Sequence, residues 1–518
     1  MKRQPLMAPG SLNRMLQAAK AAWARSDFQQ SVELLERASR LAPANSGILL
    51  QLARGHALCC QSADAERCFE KAIRLAPNKA EMLATAGRLA AEFGDLHSVP
   101  MAERFFRRAL EQKDVAPDTI ARLAELYERL HRAEDAAVMV ERALRLDSAC
   151  PLARLTQAKL HRLAGRLAEA EQALRPALMA ADREWRIRSF YELGAICDRQ
   201  GRYHDAMSAF LEAKALLQPD APPLLAQSQL FAGLPKEMQN HVSADMLARW
   251  SASAHELLQP AHRLALLGGH PRSGTTLLEQ VLDSHPDIVS ADETSIFFDF
   301  ACNPPPQNLP PETTMTAVLD GASTQTLRQG RDRYFQTMSR WLGRPPGQRL
   351  LIDKNPNLQP FILAFVRFFP EARLIVALRD PRDVVLSCFM QPYWPLRVGS
   401  VGYLKLEDAA TGYGRVMGIW RTLAPLLKNP WLEVRYEDMV NDLEAVARRT
   451  LDFLGVSWNP GVLKFDEHAR QKLVRSPSYA DVAQPVYKRA RGRWRNYQKY
   501  LEPHLETLAP FVKAFGYE

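Results

Sequence analysis

The sequence has no apolar run approaching the length of a transmembrane span, and its opening MKRQPLMAPG leads into helix-like sequence with interspersed arginines. Neither a membrane span nor secretion by a standard signal peptide is expected. Cysteine is scarce and scattered: seven in 518 residues, with no C-x-x-C and no metal-ligand spacing, which fits a reducing, cytoplasmic compartment. Charge of one sign is not concentrated either. Basic residues outnumber acidic ones by 35 to 30 over residues 1–250 and by 32 to 28 afterwards, so the net +9 forms no basic tail or nucleic-acid stripe. What remains is an ordinary globular composition, 47% hydrophobic and 24% charged, on a chain longer than one core usually organises. Two or more domains are expected.

The first half repeats itself. Ala38, Ala72, Ala109, Ala143, Ala177 and Ala213 recur at intervals of 34, 37, 34, 34 and 36 residues, each near the end of an amphipathic segment such as LLERASRLAP or CFEKAIRLAP. Turn-plus-helix segments (EFGDLHSVPMAERFF, RLHRAEDAAVM, RLAGRLAEAEQAL, RQGRYHDAMSAF) confirm the phase and give about six units over residues 10–219. The pattern resembles the tetratricopeptide repeat, although the consensus tryptophan is mostly absent. Stacked helix pairs bury a continuous core and curl into a concave face. That face suits a peptide or partner protein; the alternative is that the superhelix braces the second half or holds a homodimer together.

Four prolines in residues 216–240 end the rhythm. We divide the chain into a superhelix (1–219), a linker and helical junction (220–261) and a second domain (262–518). In the last, compact apolar runs alternate with helices: RLALLGG, RLLIDK, RLIVALRD and WLEVRY. This is the pattern of a mainly parallel sheet covered on both faces, whose ligands bind beyond the carboxyl ends of the strands.

The first run ends in Gly268-Gly269-His270-Pro271-Arg272-Ser273-Gly274-Thr275-Thr276 and passes directly into a helix. Glycines allow a tight curl, and helix-end amides with threonine hydroxyls supply donors for phosphate or sulfate oxygens. Thr275 stands where the nucleotide-binding G-x-x-x-x-G-K-[ST] loop has its lysine, so ATP or GTP phosphotransfer is disfavoured. Arg272 supplies the positive charge instead. Downstream, Arg379 at a strand end and Ser387 on the following helix are placed to meet a second anionic group, an ordinary strand-end salt bridge being the alternative reading of Arg379. Two sites at a distance favour a ligand with anionic groups at both ends.

Together PRSGTTLLEQVLDSHPDI, ADET, LIDKNP, LRDPRDVVLSCF, RYEDMV and PSYADVAQPVYKRARGRWRNY resemble, in order, segments of bacterial tetratricopeptide-repeat sulfotransferases and the related tyrosylprotein sulfotransferases. The resemblance covers about residues 262–500. It implies an α/β, P-loop-like, three-layer sulfotransferase domain behind an all-α repeat superhelix. It also implies 3'-phosphoadenosine 5'-phosphosulfate as donor, adenosine 3',5'-bisphosphate as product, and no metal requirement. By it, Arg272, Ser273, Gly274, Thr275 and Thr276 would hold the 5'-phosphosulfate, and Arg379 with Ser387 the 3'-phosphate. Tyr436, Ser478 and Arg493 fall at donor-contact positions, Glu293 matches the base, and Lys354 matches the lysine beside the bridging oxygen. Ser295 and Gln391 depart from the pattern: basic residues of the tyrosine-sulfating enzymes stand at both places. The acceptor is a hydroxyl, with tyrosine in a protein or peptide as the first reading and a saccharide, lipid or small molecule as the second. A non-catalytic scaffold with a nucleotide-binding domain is the third.

Sulfuryl transfer makes a definite demand on Glu293. A carboxylate of ordinary pKa near 4.3 lies about 6 units below a phenol, about 8 kcal/mol for complete prior proton transfer. Proton removal must be concerted with transfer or assisted electrostatically. Among other residues, Asp353 is expected to pair with Lys354, and His270 to bond backbone. His262, His285 and His468 read as caps or surface residues. Residues 391–411 read as an acceptor lid or as a loop packed by Tyr393 and Trp394.

Overall fold

The computed structural model describes residues 10–25, 27–93, 97–258, 261–302 and 313–518. The first nine residues and residues 94–96, where the sequence predicts a turn, lie outside them. Twelve helices run in antiparallel pairs from α1 (Gly10–Ala24) to α12 (Tyr203–Leu217), six pairs in all. The six register alanines are each fully buried, as close helix approach requires. At the turns, Gly165 and Gly201 take φ of 76°, and Cys60 and His131 occupy the same left-handed conformation in earlier repeats. Glycine is therefore not the only solution to this turn, and it marks only some of the repeats.

The proline-rich junction is helical. Helices α13 (Ala221–Ser228), α14 (Leu234–His241) and α15 (Ala244–Ser253) start with proline near their first turn or with a Ser243 cap. They place Leu234, Met238, Met246 and Trp250 in one core with sheet residues and with Phe210 and Leu217 of α12.

Five strands form the sheet: β1 (Leu264–Gly269), β2 (Ile288–Asp292), β3 (Leu350–Lys354), β4 (Arg373–Leu378) and β5 (Trp431–Arg435). All pairings are parallel, in the order β2-β3-β1-β4-β5. Because side chains alternate across a strand, Leu264 and Leu266 enter the core on one face, and Ala265 and Leu267 that on the other. Leu374 and Val376 against Ile375 repeat the division in β4. That is why the strands read as continuous apolar runs and why the domain has three layers. No described helix is long and apolar enough to cross a membrane.

Candidate active site

β1 is the central strand, and its carboxyl end opens the site. Gly269 adopts φ of 119°, and a Cβ there would lie 2.4 Å from the Ala377 carbonyl oxygen, so only glycine lets β1 and β4 stay paired while the chain turns away. Its N–H donates to Gln359 Oε1 at 2.8 Å. The loop then enters α16 (Thr275–Asp283) through left-handed Gly274. Arg272 is also left-handed, with φ of 72°. Its guanidinium donates to Ser387 Oγ at 3.2 Å and to Ser478 Oγ at 2.8 Å, while Thr276 Oγ1 donates to Ser476 Oγ at 2.9 Å.

A cavity of about 640 Å³ lies over this loop. Of the twelve residues singled out in the sequence, Arg272, Gly274, Thr275, Thr276, Glu293, Arg379, Ser387, Tyr436, Ser478 and Arg493 line it. Ser273 is buried under the loop, its N–H donating to the His270 carbonyl. The two anion subsites expected at a distance are joined: Ser387 bonds Arg272, and Arg379 Nη1 donates to the Arg272 carbonyl at 3.2 Å. Sequence separation had concealed this contact across the β1–β4 pair.

Parallel register brings the acid and the lysine together. Asp292 at the end of β2 stands opposite Lys354 at the end of β3, and the next residue, Glu293, turns with φ of 50°. Lys354 Nζ donates to Glu293 Oε1 at 2.8 Å and lies 2.5 Å from Asp292 Oδ1. Lys354 is fully buried and does not form part of the cavity wall; Glu293 alone of this pair faces it. The carboxylates around the ammonium hold its pKa well above the ordinary lysine range despite burial. Asp353 does not pair with Lys354. It points to the opposite face, where Tyr334 Oη donates to it at 2.8 Å and burial raises its pKa to about 7.

His270 is buried with Nδ1 3.0 Å from the Pro271 carbonyl, and burial lowers its pKa to about 4. His285 is not a surface residue: it is buried, accepting from the Asp287 N–H and bonding the Ser457 carbonyl. His262 stacks on Phe335, and His468 bonds Asp283. In the segment after Gln391, Pro392, Tyr393 and Trp394 wall the cavity, and Tyr393 stacks on Tyr403.

Several participants escape sequence reasoning. Arg493 forms an ion pair with Asp198 of α11 (Arg183–Arg199) at 2.8 Å, and Tyr497 Oη donates to the same carboxylate at 2.7 Å. Tyr479, next to Ser478, donates to Glu128 of α7 (Pro117–Arg129) at 2.6 Å. The repeats thus hold the segment that supplies Ser478 and Arg493. A second cavity of about 1130 Å³ lies between the halves, with Arg122, Arg129, Lys159, Arg162 and Arg188 on its repeat side, and it shares Arg272, Gln391 and Trp394 with the first. Glu279, buried behind Lys354, had one signal in the sequence: with Asp283 it forms an i,i+4 pair of like charge, unfavourable unless something lies between.

The second half of the chain is similar to known proteins. Residues 265–460 match the sulfotransferase family. The chain is similar to protein-tyrosine sulfotransferase 1 of Danio rerio, 25% identical over 263 residues, which are 49% of this chain and 72% of that one. It is also similar to a protein of Aquifex aeolicus (strain VF5), 26% identical over 258 residues, 48% of this chain but only 32% of that protein's length. Among solved structures it is similar to the sulfotransferase domain of the Synechococcus PCC 7002 olefin synthase, 22% identical, covering 46% of this chain and 90% of that one, with a TM-score of 0.32. The resemblance read in the motifs therefore stands for the second half, behind a helical first half of repeat type.

Proposed function

We propose that the chain transfers a sulfuryl group from 3'-phosphoadenosine 5'-phosphosulfate to an acceptor hydroxyl, with tyrosine in a protein or peptide as the acceptor. One observation carries the reading: a single cavity gathers the Arg272–Thr276 loop, Arg379, Ser478 and the carboxylate of Glu293. Its volume of about 640 Å³ suits a nucleotide-sized ligand. Arg272, Arg379 and Arg493 on its wall, with serine and threonine hydroxyls, match a donor bearing anionic groups at both ends.

In this reading Arg272 and the α16 amides hold the 5'-phosphosulfate, contacting its 5'-phosphate as well as the sulfuryl oxygens, and Arg379, Ser387 and Arg493 hold the 3'-phosphate. Glu293 takes the acceptor proton as the new S–O bond forms and the bond to the 5'-phosphate breaks, the electron pair leaving on the phosphate oxygen. Lys354, expected beside that oxygen, instead reaches the reaction through Glu293: it fixes one carboxylate oxygen and leaves the other for the acceptor. Residues 1–219 would act as the recruiting superhelix, 220–261 as the junction and 262–518 as the catalytic domain. The inter-half cavity supports acceptor entry along the repeats. Titration calorimetry with adenosine 3',5'-bisphosphate and labelled sulfuryl transfer to a tyrosine peptide test the reading. Absence of bisphosphate binding would remove it.

A further inference from the structure

Sulfation of a hydroxyl releases one proton per turnover, and in a cavity filled by donor and acceptor Glu293 must pass it on before the next cycle. The structure contains a line of ionisable groups that begins at Glu293 and leads away from the cavity. Lys354 Nζ, 2.8 Å from Glu293, also lies 3.7 Å from Glu279 Oε2. The other oxygen of Glu279 is 3.8 Å from Lys472 Nζ, which lies 2.6 Å from Asp283 Oδ2. His468 Nε2 is 2.8 Å from that same oxygen. The side chains of Lys354 and Glu279 have no exposed surface, that of Glu293 is 25% exposed on the cavity side, and exposure returns along the far end, 29% at Lys472, 11% at Asp283 and 33% at His468. His468 and Lys472 do not line the cavity.

A structural ion cluster would satisfy its members. Glu279 Oε2 is buried without a hydrogen-bond partner, facing the lysine that touches the base. Its other oxygen accepts from Ser290 Oγ at 2.6 Å, which orients the group. The groups around it are Asp283 on its own helix, Asp292 on β2, Lys354 on β3 and Lys472 beyond α16. Burial and Asp292 raise the Glu279 pKa to about 7 against the pull of the two lysines, so this carboxyl can exchange a proton near neutrality.

We propose that Glu279, Lys472, Asp283 and His468 form a proton exit from Glu293 to solvent on the side away from the donor, a role that rests on the sulfuryl-transfer reading. Lys354 takes the proton from Glu293 as it gives one to Glu279. The Glu279 carboxyl then turns to Lys472, which gives a proton through Asp283 to His468 and so to water. Every group ends as it began, and one proton has crossed. Glu279 and His468 are positioning residues for the base, since neither touches a reacting atom.

The test uses the full chain, labelled transfer to the tyrosine peptide, and calorimetry with adenosine 3',5'-bisphosphate. Glu279→Gln keeps shape and the Ser290 bond. It is expected to lower kcat at least about tenfold and to abolish the rise of wild-type turnover through pH 7, with bisphosphate Kd within about twofold. His468→Gln, at the exposed end, is expected to lose kcat and to recover it in imidazole buffer. Wild-type kcat and pH profile in both variants would overturn the exit, as would a loss of turnover matched by an equal loss of bisphosphate affinity. A wild-type chain that binds no bisphosphate would remove the parent reading as well.

Discussion

At the scale of single residues, Arg272 and Glu293 divide the work of the cavity between holding and reacting. Arg272 already donates to Ser387 and Ser478, so its guanidinium is aimed before any anion arrives. Arg272→Ala removes a charge-assisted contact of about 1.5–3 kcal/mol and is expected to weaken adenosine 3',5'-bisphosphate binding about tenfold to a hundredfold by calorimetry. Glu293→Gln keeps the side chain's volume and removes its basicity. Bisphosphate binding should persist while labelled transfer falls about 10²- to 10⁴-fold, the usual contribution of a general base. A variant with wild-type turnover would exclude Glu293 from that role.

Among the elements, regularity decided what the sequence disclosed. The repeat helices were legible because small residues recur wherever helices touch, and the strands because both faces are apolar. Ala143 has no exposed surface in α8 (Ala133–Leu146). Ala143→Leu should wedge the pair apart and cost about 1–3 kcal/mol, read as a lower urea midpoint. The site was legible only in part, for a related reason. Glu293 and Lys354 follow strand ends, and parallel register makes strand ends meet. Lys472 and Asp198 sit in no pattern; their partnerships with Asp283 and Arg493 arise only once distant segments pack. Arg493 read as a ligand contact in isolation, and its neutralising carboxylate came from the other half of the chain.

Across the whole molecule, the two halves are joined by polar contacts that ionise. Lys214 of α12 is buried among Tyr191, Phe389 and Tyr393, and donates to the Tyr403 carbonyl at 2.8 Å. Burial lowers its pKa from 10.5 to about 7. Between those pH values the unfolded chain binds a proton that the folded chain does not. The destabilisation is thus fully present below about 7 and is relieved as pH rises toward 10.5. Urea denaturation should show wild-type stability rising between pH 7 and 10 relative to Lys214→Met, which has nothing to titrate there. Parallel curves for the two proteins would place the lysine in water.

Arg272 and Glu293 share a left-handed backbone that ordinary side chains resist and glycine accepts. Glycine at either position would relieve that strain but would forfeit the Arg272 bonds to Ser387 and Ser478, or strip a carboxylate from the buried Lys354 ammonium. The contorted backbone is thus held in place by the same side chains that face the cavity, and an engineer hardening this scaffold should leave positions 272 and 293 untouched.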